Sequence, residues 1–193
     1  MPEYPQLAIV PEVPGKRVWR PEVSRGPDRT LSPEEIKLGP TCALPDGIYI
    51  VTVSENTPPE YFAAAHLLQR IRVIENGTHS PSFVPLFHYD SAIAVVERRV
   101  VGGVVAHTDQ VVNSRLVLES GAENPADGEY RPTVMYLWVH PAHRHGGLGR
   151  QLLNAIASHL GRQLAQLGFF FPISDSATGL LRSMGVDEVL GFR

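Results

Sequence analysis

The sequence predicts an α+β fold, a mixed sheet flanked by helices behind a proline-rich N-terminal arm. Three observations lead there. Residues 48–53, IYIVTV, are a β-branched run of strand length. Residues 93–97 and 100–107 read as two strands parted only by Arg98-Arg99, a short turn and so an antiparallel hairpin. Residues 133–140 read as a further strand that runs through a basic, glycine-rich turn into an amphipathic helix. Strands that pair as a hairpin before this last unit distinguish the pattern from a chain of alternating strands and helices.

A chain of 193 residues is long enough for one domain with a substantial core and an appendage. The formal net charge of -3 gives no reason to propose nucleic acid or an anionic membrane as the main partner. No apolar run approaches the roughly 20 residues that span a bilayer. The opening MPEYPQLAIV lacks a basic segment followed by a long apolar one, so no secretory signal is expected. A single cysteine, Cys42, excludes an intramolecular disulfide and a cysteine-based zinc finger. A cytoplasmic protein is the expectation.

Residues 1–45 form their own zone, the arm, and residues 46–193 the domain. Nine of the 17 prolines fall in the arm: Pro2, Pro5, Pro11, Pro14, Pro21, Pro27, Pro33, Pro40 and Pro45. Such spacing forbids long helices and central strands. One short helix is expected at 32–38, with Ser32 as cap, Pro33 at the first helical position and Glu34-Glu35 in the first turn. The arm reads either as a disordered tail or as a segment that packs on another surface, including a second subunit in a homodimer. Within the domain, the strand at 48–53 is followed by a helix that opens at Pro59 or Glu60 and stops at Gly77. Residues 79–90 read as a loop, followed by the hairpin, whose second strand extends toward Val117 through a bulge. The acidic stretch 119–131, with glycine and proline, reads as an exposed loop. After the strand at 133–140 comes a helix from Gly147 to about Leu160, with Leu148, Leu152, Leu153, Ile156 and Leu160 in one stripe. A short strand at 168–173, a helix from Asp175 or Ser176 to Gly185 and a strand at 186–192 complete the chain.

The glycine-rich turn carries the chemistry. Arg144, Gly147 and Gly149 are spaced R-x-x-G-x-G between strand and helix. Backbone N–H groups and the positive end of the helix dipole converge there, so the turn suits an anion, most readily phosphate. The P-loop pattern is absent, and the glycines at 146, 147 and 149 do not form the dinucleotide fingerprint. His140, His143 and His145 invite a metal reading, but no distant ligand set accompanies them, and no metal site is expected.

Val139, Pro141, Arg144, Gly147, Gly149 and Leu152 resemble motif A of the GNAT acyltransferases, V-x-P-x-x-R-x-x-G-x-G-x-x-L. The element order from Ile48 to Phe192 is similar as well. The resemblance implies the GNAT fold, with splayed central strands at 133–140 and 168–173 that admit acetyl-CoA. It implies that the turn holds the cofactor pyrophosphate through His145, Gly146, Gly147, Leu148 and Gly149, with Arg144 and Arg150 adding charge. It also implies that backbone groups of the strand before the turn, Leu137, Trp138, Val139 and His140, pair with the pantetheine amides.

Many members of that family carry N-x-x-A-x-x-L-Y-x-x-x-G-F at the position of 174–186. Here Ala177, Leu180 and Gly185 match, while Ser174, Leu181 and Val186 replace Asn, Tyr and Phe. The usual tyrosine acid is therefore missing. Ser174-Asp175 after a strand resembles the cohesin acetyltransferase branch, as do residues 95–106 and 137–144. The Cys/His zinc finger of that branch is absent, and Ser176-Ala177 replaces its Pro-Thr.

Asp175 is the candidate base that takes the proton from the attacking amine, with Ser174 as a hydrogen-bonding or relay group. Such a base works best when burial raises its pKa toward working pH. Helix capping by either residue is the competing account. His107, Tyr136 and Trp138 are candidates for the acceptor side, with surface exposure for His107 and core packing for the aromatics as the alternatives. The leading function is acetyl-CoA-dependent N-acetyl transfer to a primary amine, on a lysine side chain or a small molecule. The alternatives are a non-catalytic acyl-CoA-binding module and transfer of a longer acyl group.

Overall fold

The computed structural model describes residues 7–9, 31–54, 57–75 and 89–192. Among these residues, seven strands form one sheet: β1 (Leu7–Ile9), β2 (Gly47–Thr52), β3 (Tyr89–Val96), β4 (Arg99–Val117), β5 (Glu123–Val139), β6 (Gly168–Phe170) and β7 (Glu188–Phe192). The helices are α1 (Pro33–Leu38), α2 (Pro59–Glu75), α3 (Leu148–His159) and α4 (Asp175–Ser183). The expected helix stop at Gly77 and most of the loop at 79–90 lie outside the described residues. Among the described residues, no helix is long and apolar enough to cross a membrane.

Side chains alternate across the sheet, so each face has its own core. Ile48, Ile50, Ala92, Ala94, Val104 and Val134 meet Leu148, Leu152 and Ile156 of α3. Tyr49, Val51, Ile93, Val95, Val105 and Trp138 meet Phe62, Leu68 and Ile71 of α2. Gly102 and Gly103 let both helices lie close to β4. A Cβ on Gly102 would stand 3.2 Å from Leu152 Cδ1, and one on Gly103 would stand 2.2 Å from Leu68 Cδ2.

The β3–β4 turn falls on Glu97 and Arg98, one residue earlier than the spacing predicts. Both are left-handed, at φ 51° and 57°. Two positive φ values give the primed turn whose twist matches a hairpin. Asp46 steadies it by accepting the Arg98 N–H at 3.0 Å, and backbone donors of Arg98 and then Glu97 hold its carboxyl below the usual carboxylate range.

One expectation fails. Most of 119–131 is strand, not loop. The loop is confined to 118–122, and β5 starts at Glu123, paired with Leu116. Composition misleads here because this part of the strand is exposed, with Tyr130 at 72 % accessibility, so no apolar alternation marks it. Pro125 and Gly128 are accommodated where the β4–β5 register shifts, between Val112 and Ser114. The bulge expected in β4 is present, as one of three such shifts.

The long hairpin then closes on the chain's end. Residues Ser114 to Val117 pair antiparallel with Gly191 to Glu188, while β7 also pairs with β6 and β6 with β5. Strands β4, β5, β6 and β7 therefore form a closed ring, and β6 needs only a short pairing to β5 to stay in place.

The face beneath α2 buries His66, which lies against Phe62 with ring centroids 4.4 Å apart. Burial, and secondarily the charge of Arg70, pushes the His66 pKa down to about 4. The folded protein thus keeps His66 neutral where the unfolded chain protonates it. Its contribution is level above about pH 6.5, and stability falls as pH drops from there toward 4. The loss is on the order of 3 kcal/mol. Urea unfolding of wild type and His66→Gln between pH 4 and 7 checks this, because the variant loses that part of the pH dependence.

Candidate active site

Strands β5 and β6 are parallel but pair over only two positions, Thr133 with Gly168 and Val134 with Phe169. Beyond them β5 continues to Val139, whereas β6 ends at Phe170. Phe171 gives its N–H to Phe192 O at 2.9 Å, and Pro172 has none to give. The strands part from Met135 onward, which is the predicted splay.

Met135 is itself a bulge. Val105 pairs with Tyr136 and Ala106 with Val134, so Met135 is the extra residue opposite β4. A bulge twists a strand and turns a peptide out of the ladder. No sequence signal marked this position, since bulges leave no fixed residue signature outside glycine.

The backbone parity of β5 follows from one bond, His140 N–H to Val101 O at 2.8 Å. Counting back along the antiparallel register, Trp138 and Tyr136 face Gly103 and Val105 with their backbone groups. Leu137 and Val139 turn theirs toward the gap. Of the four residues expected to face the cofactor, Trp138 and His140 thus turn their backbone groups to β4 instead, and Trp138 is 5 % exposed in the core under α2. Tyr136, half-buried, packs against the same core, the alternative considered for these aromatics. His107 lies against Tyr89, with centroids 5.2 Å apart, and its Nδ1 accepts the Asp109 N–H at 3.2 Å.

After Val139 the chain makes a short 3-10 turn, Pro141–His143, and reaches the glycine-rich stretch. His145 and Gly147 are left-handed, at φ 65° and 85°, and Gly147 is the N-cap of α3. Among the described residues, no side chain caps this helix. The Gly147 C=O accepts the Gln151 N–H at 3.1 Å, and the N–H groups of Leu148, Gly149 and Arg150 precede the first intrahelical donor. Gly149 seats the helix end: a Cβ there would stand 3.0 Å from Leu180 Cδ2, with Leu137 and Val139 each 3.8 Å away. His143, in the short turn, has its pKa lowered by burial and then by the neighbouring His140.

The two arginines have different stations. Arg144 donates from Nε to Val139 O at 2.8 Å, which ties the turn to the end of β5. Arg150 donates to Ser183 O at 2.9 Å and Ser183 Oγ at 3.1 Å, so its guanidinium caps the C-terminus of α4. Among the described residues, no group of three or more His, Cys, Asp or Glu side chains is placed to hold a metal.

Beyond β6, Ser174 is the N-cap of α4, and its Oγ accepts the Ala177 N–H at 3.3 Å. Asp175 is the first helical residue and is exposed. The burial expected of the candidate base is absent. Leu181, which stands where the family tyrosine would be, is 1 % exposed in the core.

The description "Acetyltransferase (GNAT) family" matches residues 53–185. The chain belongs to the GNAT acetyltransferase family. It is an N-acetyltransferase. The fold is similar to the solved xEco2 acetyltransferase domain bound to a CoA conjugate, with a TM-score of 0.59 and 16% identity over 77% of this chain and 93% of that one. A second structure of the xEco2 domain gives a TM-score of 0.53 and 18% identity over 75% of this chain and 89% of that one. No curated protein matches by sequence.

Gly147→Ala tests the turn of this acetyltransferase. A methyl group there meets no atom within 4 Å, so the effect is conformational. The left-handed backbone costs an alanine about 1 kcal/mol, and the urea midpoint should fall accordingly.

Proposed function

We propose that the chain transfers an acetyl group from acetyl-CoA to a primary amine, on a lysine side chain or a small molecule. In this reading the CoA diphosphate lies on the N–H groups of residues 145–149 and on Arg144. The backbone groups of Leu137 and Val139 pair with the pantetheine, whose amides replace the missing edge of β6. The donor set fits: several N–H groups converge at a helix end that no side chain caps, and a cation stands beside them. Arg150 contributes at most through its backbone N–H, given its bond to Ser183.

The amine nitrogen attacks the thioester carbonyl carbon, the C–S bond breaks, and the thiolate leaves with a proton. One proton must come off the ammonium for the attack to begin. The observation that supports Asp175 in this role is a division of labour. Ser174 takes the cap, and the Asp175 carboxylate makes no hydrogen bond or ion pair among the described residues. An exposed carboxylate at the start of α4 is available to receive and orient an incoming ammonium. Leu181 offers no proton, so the thiolate takes its proton from another source than the usual tyrosine. With one cysteine and hence no intrachain disulfide, the chain suits a reducing compartment such as the cytoplasm.

The Asp175→Asn variant, assayed with acetyl-CoA against a panel of lysine peptides and amino sugars, tests the assignment. Turnover should fall by roughly 100-fold with CoA affinity retained, the lower range for loss of a general base. Unchanged turnover would remove Asp175 from the mechanism.

A further inference from the structure

Helix α1 is fastened to the start of β4. Arg99 reaches Glu34 Oε1 at 3.1 Å and Gly39 O at 3.0 Å, and Val100 N–H donates to Pro40 O at 2.9 Å. Cys42 N–H donates to Arg98 O at 2.8 Å. Within the segment, Ser32 and Glu35 form a reciprocal capping box, and the buried Glu35 also accepts from Thr41 N–H and Oγ1. Leu31 and Leu44 are in the core. Residues 31–44 are therefore a fixed brace on their own domain.

The brace has a second contact, at the entrance of the glycine-rich turn. His140 Nε2 lies 3.4 Å from Ile36 O, and His140 Nδ1 accepts the Ala142 N–H at 3.2 Å. A neutral imidazole that accepts at Nδ1 carries its hydrogen on Nε2, so Nε2 donates to Ile36 O. The ring is 3 % exposed, edge-on to Trp138 at 5.9 Å and to His143 at 6.1 Å. With its backbone N–H on Val101, His140 is held by β4, by α1 and by the turn it introduces. The direction taken by Pro141, Ala142 and His143 sets where Arg144 and the N–H groups of 145–149 point.

We propose that His140 is a positioning residue for the diphosphate end of the cofactor: it transmits the fixed position of α1 to the glycine-rich turn. The inference rests on the reading of that turn as the CoA diphosphate site. It differs from a general stabilising role in where the effect falls along the cofactor. Misorientation of the turn weakens diphosphate binding and leaves the β5 edge at Leu137 and Val139 in place.

Two variants divide the imidazole's contacts. Asparagine places its side-chain oxygen near Nδ1, within reach of the Ala142 N–H, and falls short of Ile36. Glutamine carries a donor out to the Nε2 position. Binding of CoA by calorimetry and of pantetheine, which has no diphosphate, by ligand-observed NMR is compared in wild type, His140→Asn and His140→Gln. Thermal unfolding checks that each variant is folded. His140→Asn should bind CoA roughly tenfold more weakly, the equivalent of one lost hydrogen bond. Its pantetheine affinity should be unchanged, and His140→Gln should recover most of the CoA affinity. Equal losses for both ligands, or CoA binding at wild-type strength in His140→Asn, would overturn the proposal. If His140→Asn does not fold, the glutamine variant decides: weakened CoA binding in it overturns the proposal. Wild-type protein that binds CoA no better than pantetheine would instead refute the diphosphate reading of the turn.

Discussion

The two-position pairing between β5 and β6 is the constraint on which the rest of the site depends. A parallel ladder continued past Val134 and Phe169 would consume the backbone groups of Leu137 and Val139 and leave no room for a ligand. The sheet parts here because each strand has a local reason to leave the other. Met135 bulges, and β6 ends in Phe171-Pro172, where one N–H goes to β7 and the next residue has none. Backbone polar groups left in such a gap are costly unless something pairs with them, and a ligand with amides of its own is a suitable partner.

A sheet that parts at its centre needs support elsewhere. The extension of β4 and β5 supplies it by carrying residues 114–117 to β7, which closes the four strands into a ring. The gap is therefore a fixed feature of the sheet. On the other side, α3 is seated by its apolar stripe and by contact of Gly149 with Leu180, so the uncapped helix end is fixed relative to the β5 edge. The β5 edge at the gap and the glycine-rich turn are two products of one strand, joined by Arg144 on Val139 O.

Much of this was legible in the sequence where periodicity and glycine chemistry act together. The strand, turn and helix at 133–160 have an alternating pattern, a left-handed glycine and a helical stripe, and each requirement is local. The region 119–131 was not legible. An exposed two-stranded extension has no buried face, so Pro125 and Gly128 read as loop residues when they only mark a change of register. Site residues divide in the same way. Ser174 as cap follows from residue type and position. That Asp175 is left with its carboxylate exposed follows from which of two adjacent candidates took the cap, and the sequence allowed both. The inward turn of Trp138 depends on register, which a one-residue shift reverses. The contact between His140 and Ile36 joins residues far apart in the chain, and no local pattern encodes it.

In the proposed function, the parted strands and the uncapped helix end form a single cofactor cleft. Residue-resolved amide exchange by NMR, with and without CoA, tests this. Exchange should slow at Leu137 and Val139 together with Leu148, Gly149 and Arg150, while Trp138, already paired with β4, is unchanged. Protection confined to other parts of the sheet, or at neither the β5 edge nor the helix end, would contradict it.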